Sequence, residues 1–204
     1  ISANTFLAGP LTNLVSLASY DGSSLTGWTT AGAGITSDAT TGNPLSSFKT
    51  IGANQFMYRD FGQDFKNKTI QFDIKLTSGK TGFLIGTAAN GSGGIGVTIN
   101  TGTSSINGLS NTTGWLYSIN SGDSYTFTAG TWYTIKIITD NGVTGGTSWY
   151  VNGALVGTSG GYAIGNGTYF GISSDSGNAN FDNLTIKGAS NASDAIPTFR
   201  QLVV

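Results

Sequence analysis

The chain of 204 residues contains no cysteine and no histidine, and all 10 of its acidic residues are aspartate, so glutamate is missing too. Without cysteine there is no disulfide framework, and the fold must rest on its core. Without histidine neither a Ser-His-Asp nor a Cys-His triad can be built, and a histidine-containing zinc site is excluded. Aspartates alone can in principle hydrolyse a glycoside, one carboxyl being held protonated to act as the acid. The nearest such pair in sequence, Asp60 and Asp64 beside Arg59, reads instead as a charged turn whose arginine pairs with an aspartate. Arg59 and Arg200 are the only arginines, which excludes an arginine cluster of the sialidase kind. No residue pattern argues for a lyase built on tyrosine and arginine. Catalysis is not expected.

Charge is scarce as well. Only 9% of residues are charged and the net charge is −1, with no cluster of Lys and Arg of the kind that displaces counterions from a phosphate backbone. Nucleic acid is therefore not an expected partner. No apolar run is long enough to span a bilayer and no basic amphipathic helix is present, so membrane insertion is not expected either. The chain opens at Ile1 without a charged leader, and is read as a piece of a longer protein.

What remains is glycine, small polar residues and well-spaced apolar ones. The 32 glycines would suggest disorder in an apolar-poor chain, but 38% of residues are hydrophobic and 11% aromatic, set in short alternating runs. Thr69–Leu76 is the clearest: Ile70, Phe72, Ile74 and Leu76 alternate with Gln71, Asp73 and Lys75, which predicts a central strand with one face in the core. Around Gly130–Gly157 two strand-like runs, Trp132–Thr139 and Thr147–Val151, flank a glycine-rich turn, and Asn152-Gly153 turns the chain again. Short strands continue throughout: Leu25–Trp28, Ile35–Asp38, Phe48–Ile51, Gln55–Phe61, Gly82–Thr87, Gly94–Asn100, Trp115–Asn120, Ser124–Thr128, Tyr162–Ile164, Tyr169–Ser173 and Asn180–Ile186. Thr101–Thr113 reads as a long polar loop. The pattern predicts an all-β sandwich or jelly roll. Its domain covers 20–188, with a lead-in over 1–19 and a small-residue tail over 189–204.

Several motifs carry a resemblance. Trp132-Tyr133-Thr134-Ile135, then Trp149-Tyr150-Val151-Asn152-Gly153, then Tyr169-Phe170-Gly171-Ile172-Ser173 and Phe181-Asp182-Asn183-Leu184-Thr185-Ile186 resemble the last third of a concanavalin A-like jelly roll. That group holds legume-lectin and laminin-G-like domains and many carbohydrate-binding modules. The resemblance implies two antiparallel sheets. It also implies a non-catalytic carbohydrate-binding or adhesion module of the kind carried by bacterial surface proteins and by phage tail or baseplate proteins. Such a module would be extracellular or virion-associated, with a cell-surface or cell-wall polysaccharide and the other parts of its parent assembly as partners. The competing class is a structural spacer. The clustered glutamates of glucanases sharing this fold are not present.

Sugars are held by aromatic faces against their C–H side and by amides and carboxylates at their hydroxyls. Trp115 and Tyr117, two apart on one predicted strand, share a face, and the loops beside them offer Asn111, Asn120 and Asp123. That cluster is the sequence's candidate site; core or rim packing of the two aromatics is the alternative. Tyr58, Trp149 and Tyr162 are further aromatic candidates, Trp149 being placed on the core side of its hairpin, and Trp132 and Phe181 are assigned to the core. For metals only a structural calcium comes into question, through Asp182 and Asn183 with Asp21. Two carboxylates without a bidentate glutamate are a thin ligand set, and no metal is assigned.

Overall fold

In the computed structural model, residues 14–31, 35–101, 106–113, 125–139, 147–158 and 164–189 are described. These described residues build fourteen strands in two antiparallel sheets: β1 (Leu14–Tyr20), β2 (Thr29–Ala31), β3 (Thr36–Asp38), β4 (Ser47–Thr50), β5 (Gln55–Asp60), β6 (Lys68–Ser78), β7 (Lys80–Thr87), β8 (Ser92–Asn100), β9 (Ile106–Thr113), β10 (Trp132–Ile138), β11 (Ser148–Val151), β12 (Ala154–Thr158), β13 (Tyr169–Ser174) and β14 (Asn178–Ala189). The larger sheet runs β12-β11-β10-β6-β14-β4-β3, with β1 also on β14; the smaller runs β2-β5-β13-β7-β8-β9. Among the described residues there is no helix. The molecule is a jelly-roll sandwich.

Alternation explains the two layers. From the larger sheet Ile70, Phe72, Ile74 and Leu76 of β6, Ile135 and Ile137 of β10, Trp149 of β11 and Phe181 of β14 enter the core. From the smaller sheet Met57, Phe83, Ile85, Ile95, Val97, Ile99, Phe170 and Ile172 meet them. The Phe72 ring meets Phe83 edge-on with centroids 4.4 Å apart, which joins the layers at their middle. β6 lies between β10 and β14, central as its alternation requires.

Several local readings need correction. Leu25–Trp28 is a turn, closed by the Trp28 amide donating to the Leu25 carbonyl at 3.0 Å, because Asp21-Gly22 and Gly27 break any ladder there; Trp28 is nonetheless buried. The polar stretch before Thr113 contains β9, an edge strand whose glycine-rich partner β8 accepts irregular pairing. Residues 125–128 form no strand. Leu14–Tyr20 pairs with β14 from Leu14↔Ala189 to Tyr20↔Leu184, so the sandwich takes in chain ahead of Tyr20. Trp132 is half-buried on the outer side of its sheet, since the core-facing positions of β10 are Tyr133, Ile135 and Ile137.

β14 serves two partners on one edge: β4 at Ala179–Phe181 and β1 from Leu184 onward. Between them, directly after Asp182, the ladder to β6 is interrupted and Asn183 takes a left-handed φ of 52°. Asn tolerates that conformation better than most residues. This bulge organises a polar cluster on the outer face of the larger sheet, described next.

Candidate functional site

Asp73 of β6 and Asp182 of β14 are cross-strand neighbours. Asp73 stands at an outward position yet is only 7% exposed, because the turn around Asn43 packs over it. Its carboxylate accepts from Thr134 Oγ1 at 2.6 Å, Asn183 Nδ2 at 2.8 Å and Asn43 Nδ2 at 3.2 Å. Asp182 accepts from the backbone amides of Asn43 and Asn183. Its carboxyl is held above the ordinary carboxylate value, chiefly by burial, with the charges of Asp73 and Asp21 adding to it. Asp21 is thus near, but its own carboxylate is occupied by the Ser23 amide at 3.0 Å. The oxygens considered for calcium are bridged by N–H and O–H donors, and among the described residues no group of three acidic side chains converges.

A pH dependence follows. Asp182, raised in the folded state, favours folding most when protonated, so stability is lost as pH rises from 3.8, its ordinary value, through the raised one. Asp38 and Asp60 have the opposite sign. Hydrogen bonds from the Thr40 side chain and amide lower Asp38, and those from the Thr168 side chain and the Gly62 amide lower Asp60. Their contribution is lost as pH falls below 3.8. Thermal melts across the acid range should therefore peak in the mildly acidic region. A midpoint rising steadily from mildly acidic pH to neutrality would refute the role given to Asp182.

The two aspartates of the candidate pair are each engaged in a local turn. Asp60 accepts the Gly62 amide at 2.8 Å and Asp64 the Lys66 amide at 3.1 Å, so each closes its own turn. Arg59 does not pair with either. Its guanidinium lies 4.8 Å from the Tyr20 ring centroid and 5.9 Å from that of Phe61, and it donates to the Thr26 carbonyl at 3.2 Å. Stacking on two rings at the sandwich edge replaces the expected ion pair.

The outer face of the smaller sheet is different in kind. Cross-strand register sets one row as Thr29–Tyr58–Gly171–Leu84–Gly96 and the next as Ala31–Phe56–Ser173–Gly82–Thr98. Tyr58 thus sits beside Phe56, rings stacked at 6.1 Å, and beside Tyr169 at 6.0 Å. All three pack on Leu84, a buried apolar residue outside the main core. Gly86, at φ 68°, lets β7 bulge so that Thr87 pairs with Tyr169. The Tyr169 hydroxyl bonds to Asp60, and burial first, then the Asp60 charge, pushes its pKa up.

Beyond the aromatic wall the side chains shrink to Gly171, Gly82 and Gly96, flanked by Ser173 and Thr98. The hydroxyls of Thr87, Thr98 and Ser173 are buried and have no hydrogen-bond partner among the described residues. On the core side of the same sheet Thr81 does find one, the Ser173 carbonyl at 2.9 Å. A buried hydroxyl left unpaired costs about 1–3 kcal/mol. Thr98→Val and Ser173→Ala should therefore each raise stability, by about 1 kcal/mol, in a denaturant titration; a loss instead would mean the hydroxyls hold the fold.

Of the sequence candidates, Tyr58 lies on this face. Asn111 belongs to β9, paired in backbone register with Ile95. Trp115, Tyr117, Asn120, Asp123 and Tyr162 lie outside the described residues. Trp149 is fully buried. The sequence reading missed Phe56 and Tyr169. Phe56 and Tyr58, two apart on one run, carried the same signal as Trp115 and Tyr117.

Residues 15–187 match the family described as the 3-keto-alpha-glucoside-1,2-lyase-like domain. No curated protein matches the chain. Solved structures do. The carbohydrate-binding module CBM66 from Bacillus subtilis aligns at TM-score 0.58 and 15% identity, covering 80% of this chain and 96% of its own. Endo-beta-1,4-glucuronan lyase from the fungus Trichoderma reesei aligns at 0.55 and 14%, covering 85% and 96%. Domain 4 of AbnA, a GH43 extracellular arabinanase from Geobacillus stearothermophilus solved with arabinotriose, aligns at 0.54 and 19%, covering 89% and 97%. At these identities the likeness is one of fold.

Proposed function

We propose, from the premise that this chain belongs to the 3-keto-alpha-glucoside-1,2-lyase-like domain family, that it is a non-catalytic saccharide-binding module using the outer face of its smaller sheet. The observation that carries this is the wall of half-buried Phe56, Tyr58 and Tyr169, side by side on the outer face of that sheet. An aromatic wall takes the C–H side of a sugar ring. The complexes and names of the similar structures support the same ligand class. As for catalysis, the family's description includes a lyase, but this chain has neither histidine nor glutamate. Its turn-forming aspartates are already occupied.

The finer reading places the module in a cell-surface, wall-degrading or phage-tail protein, outside the cell or on a virion. The low charge and the absence of cysteine suit such a prokaryotic setting. Among the described residues no helix is long and apolar enough to cross a membrane. Trp115, Tyr117, Asn120, Asp123 and Asn111 stay as the sequence's own candidates for the same ligand.

Retention on immobilised neutral polysaccharides tests the reading. Tyr58→Ala should abolish retention while the melting midpoint changes little, since Tyr58 stands outside the main core. Trp115→Ala run in parallel tests the sequence candidate. Retention should barely change with salt, because no charge steers it. Full retention by Tyr58→Ala would remove the site. Steady release of reducing ends or unsaturated products by the wild-type chain would overturn the non-catalytic assignment.

A further inference from the structure

The outer face of the larger sheet carries a row that neither the core nor the saccharide-binding reading uses. Register places Trp132 of β10, Lys75 of β6, Asn180 of β14 and Lys49 of β4 side by side on four adjacent strands. At about 4.8 Å per strand the row is roughly 14 Å long. A concavity of about 380 Å³ opens beside it, lined by Thr41, Lys49, Ile51, Lys75, Thr77 and Asn180 among others. That volume suits a ligand the size of one or two sugar rings.

We propose that this groove is a second ligand site, for a uronic-acid residue of an acidic polysaccharide. The Lys75 ammonium is held over the Trp132 ring, 5.4 Å from its centroid. A cation resting on an aromatic is restrained in advance, so less entropy is lost when an anion reaches it. Trp132, half-buried, offers ring surface for the C–H side of a sugar. Asn180 bonds to Ser47 Oγ at 2.8 Å and Asp38 at 3.3 Å through its Nδ2, which fixes the amide between the two lysines. Thr41 and Thr77 add hydroxyls.

The charged groups facing the groove favour an anion. Among the described residues Lys49 pairs with one acidic neighbour, Asp38 at 3.5 Å, whose carboxylate also accepts from Thr40 at 2.7 Å and from Asn180. On the same sheet face Asp73 is enclosed by its three donors and Asp182 is almost fully buried. Lys136, further along β10, rests on Tyr150 at 4.3 Å, outside the groove lining. The smaller sheet's aromatic rows contain no lysine or arginine. The two faces thus differ in the charge of what they attract: neutral rings on one, carboxylate-bearing rings on the other.

The test uses the whole chain, with polygalacturonate and its fully methyl-esterified form as probes; esterification removes the charge and keeps the ring. At low salt the Tyr58→Ala chain, which lacks the neutral-ring site, should bind the acid form and the ester at least about tenfold more weakly, the scale of one charge-assisted hydrogen bond. Lys75→Gln and Lys49→Gln should each weaken acid-form binding by a similar factor, Trp132→Ala should weaken both forms, and Lys136→Gln should change little. Each variant is first shown by its melting curve to be folded. Tyr58→Ala should leave polygalacturonate binding intact, which separates this site from the one on the other sheet. Equal binding of acid and ester, no binding of the acid form, or equal losses in Lys136→Gln and Lys75→Gln would each overturn the proposal, the last by showing diffuse charge instead of a site.

Discussion

Phe72→Ala should lower the unfolding free energy by about 3–5 kcal/mol, the range for emptying an aromatic position in a rigid core. Phe72 is 2% exposed and meets Phe83 at 4.4 Å, Phe181 at 6.2 Å and Phe170 at 6.4 Å. These rings come from both sheets, so truncation opens a gap that neither layer can close without pulling strands out of register. A domain of this kind has roughly 5–15 kcal/mol in hand, and the loss would take a large share of it. A urea midpoint close to wild type would show that the layers re-pack around the gap. Phe72→Leu, which restores most of the volume, should recover much of the loss.

Asn183→Ala should be nearly as damaging, at about 3 kcal/mol, although it removes no apolar contact. Alanine at a left-handed φ costs about 1–2 kcal/mol, and the lost amide takes from Asp73 a donor to a charged, nearly buried carboxylate, worth about 1.5–3 kcal/mol. The same amide also donates to the Asn43 carbonyl, so the turn covering Asp73 loosens with it. Asn183→Gly separates the two contributions: it accepts the backbone conformation but not the hydrogen bonds, and should recover only the smaller part. Equal stability of the glycine variant and wild type would show that the cluster around Asp73 contributes nothing.

What the sequence made legible is what is local. The alternation over Thr69–Leu76 assigns core and outer positions of β6 correctly because strand periodicity is a property of the backbone itself. The Asn152-Gly153 turn between β11 and β12 was equally plain, both residues having positive φ. Trp132 was misassigned because size favours the core, whereas the register of β10, set by Ile135 and Ile137, puts it outside. Asp73 follows its predicted parity yet is buried, since the segment that covers it lies 30 residues earlier. The candidate face was the least legible part. Ser173, Gly82 and Thr98 look like ordinary strand filler until β13, β7 and β8 are laid side by side. Which hydroxyls lack partners is a fact about neighbours remote in the chain.

The pairing of β1 with β14 has a mechanical consequence. Leu14 and Ala189 face each other in the ladder, so the first and last described strands begin and end side by side. Tension applied at Leu14 and Ala189 would load that single rung, then the next, opening the ladder as a zipper and not shearing all of its hydrogen bonds together. The seven residues of β1 would yield roughly 24 Å of chain at about 3.4 Å per residue, while β14 stays bonded along its other edge to β6. A module hung this way gives under low force, and both outer faces keep their geometry while it does so.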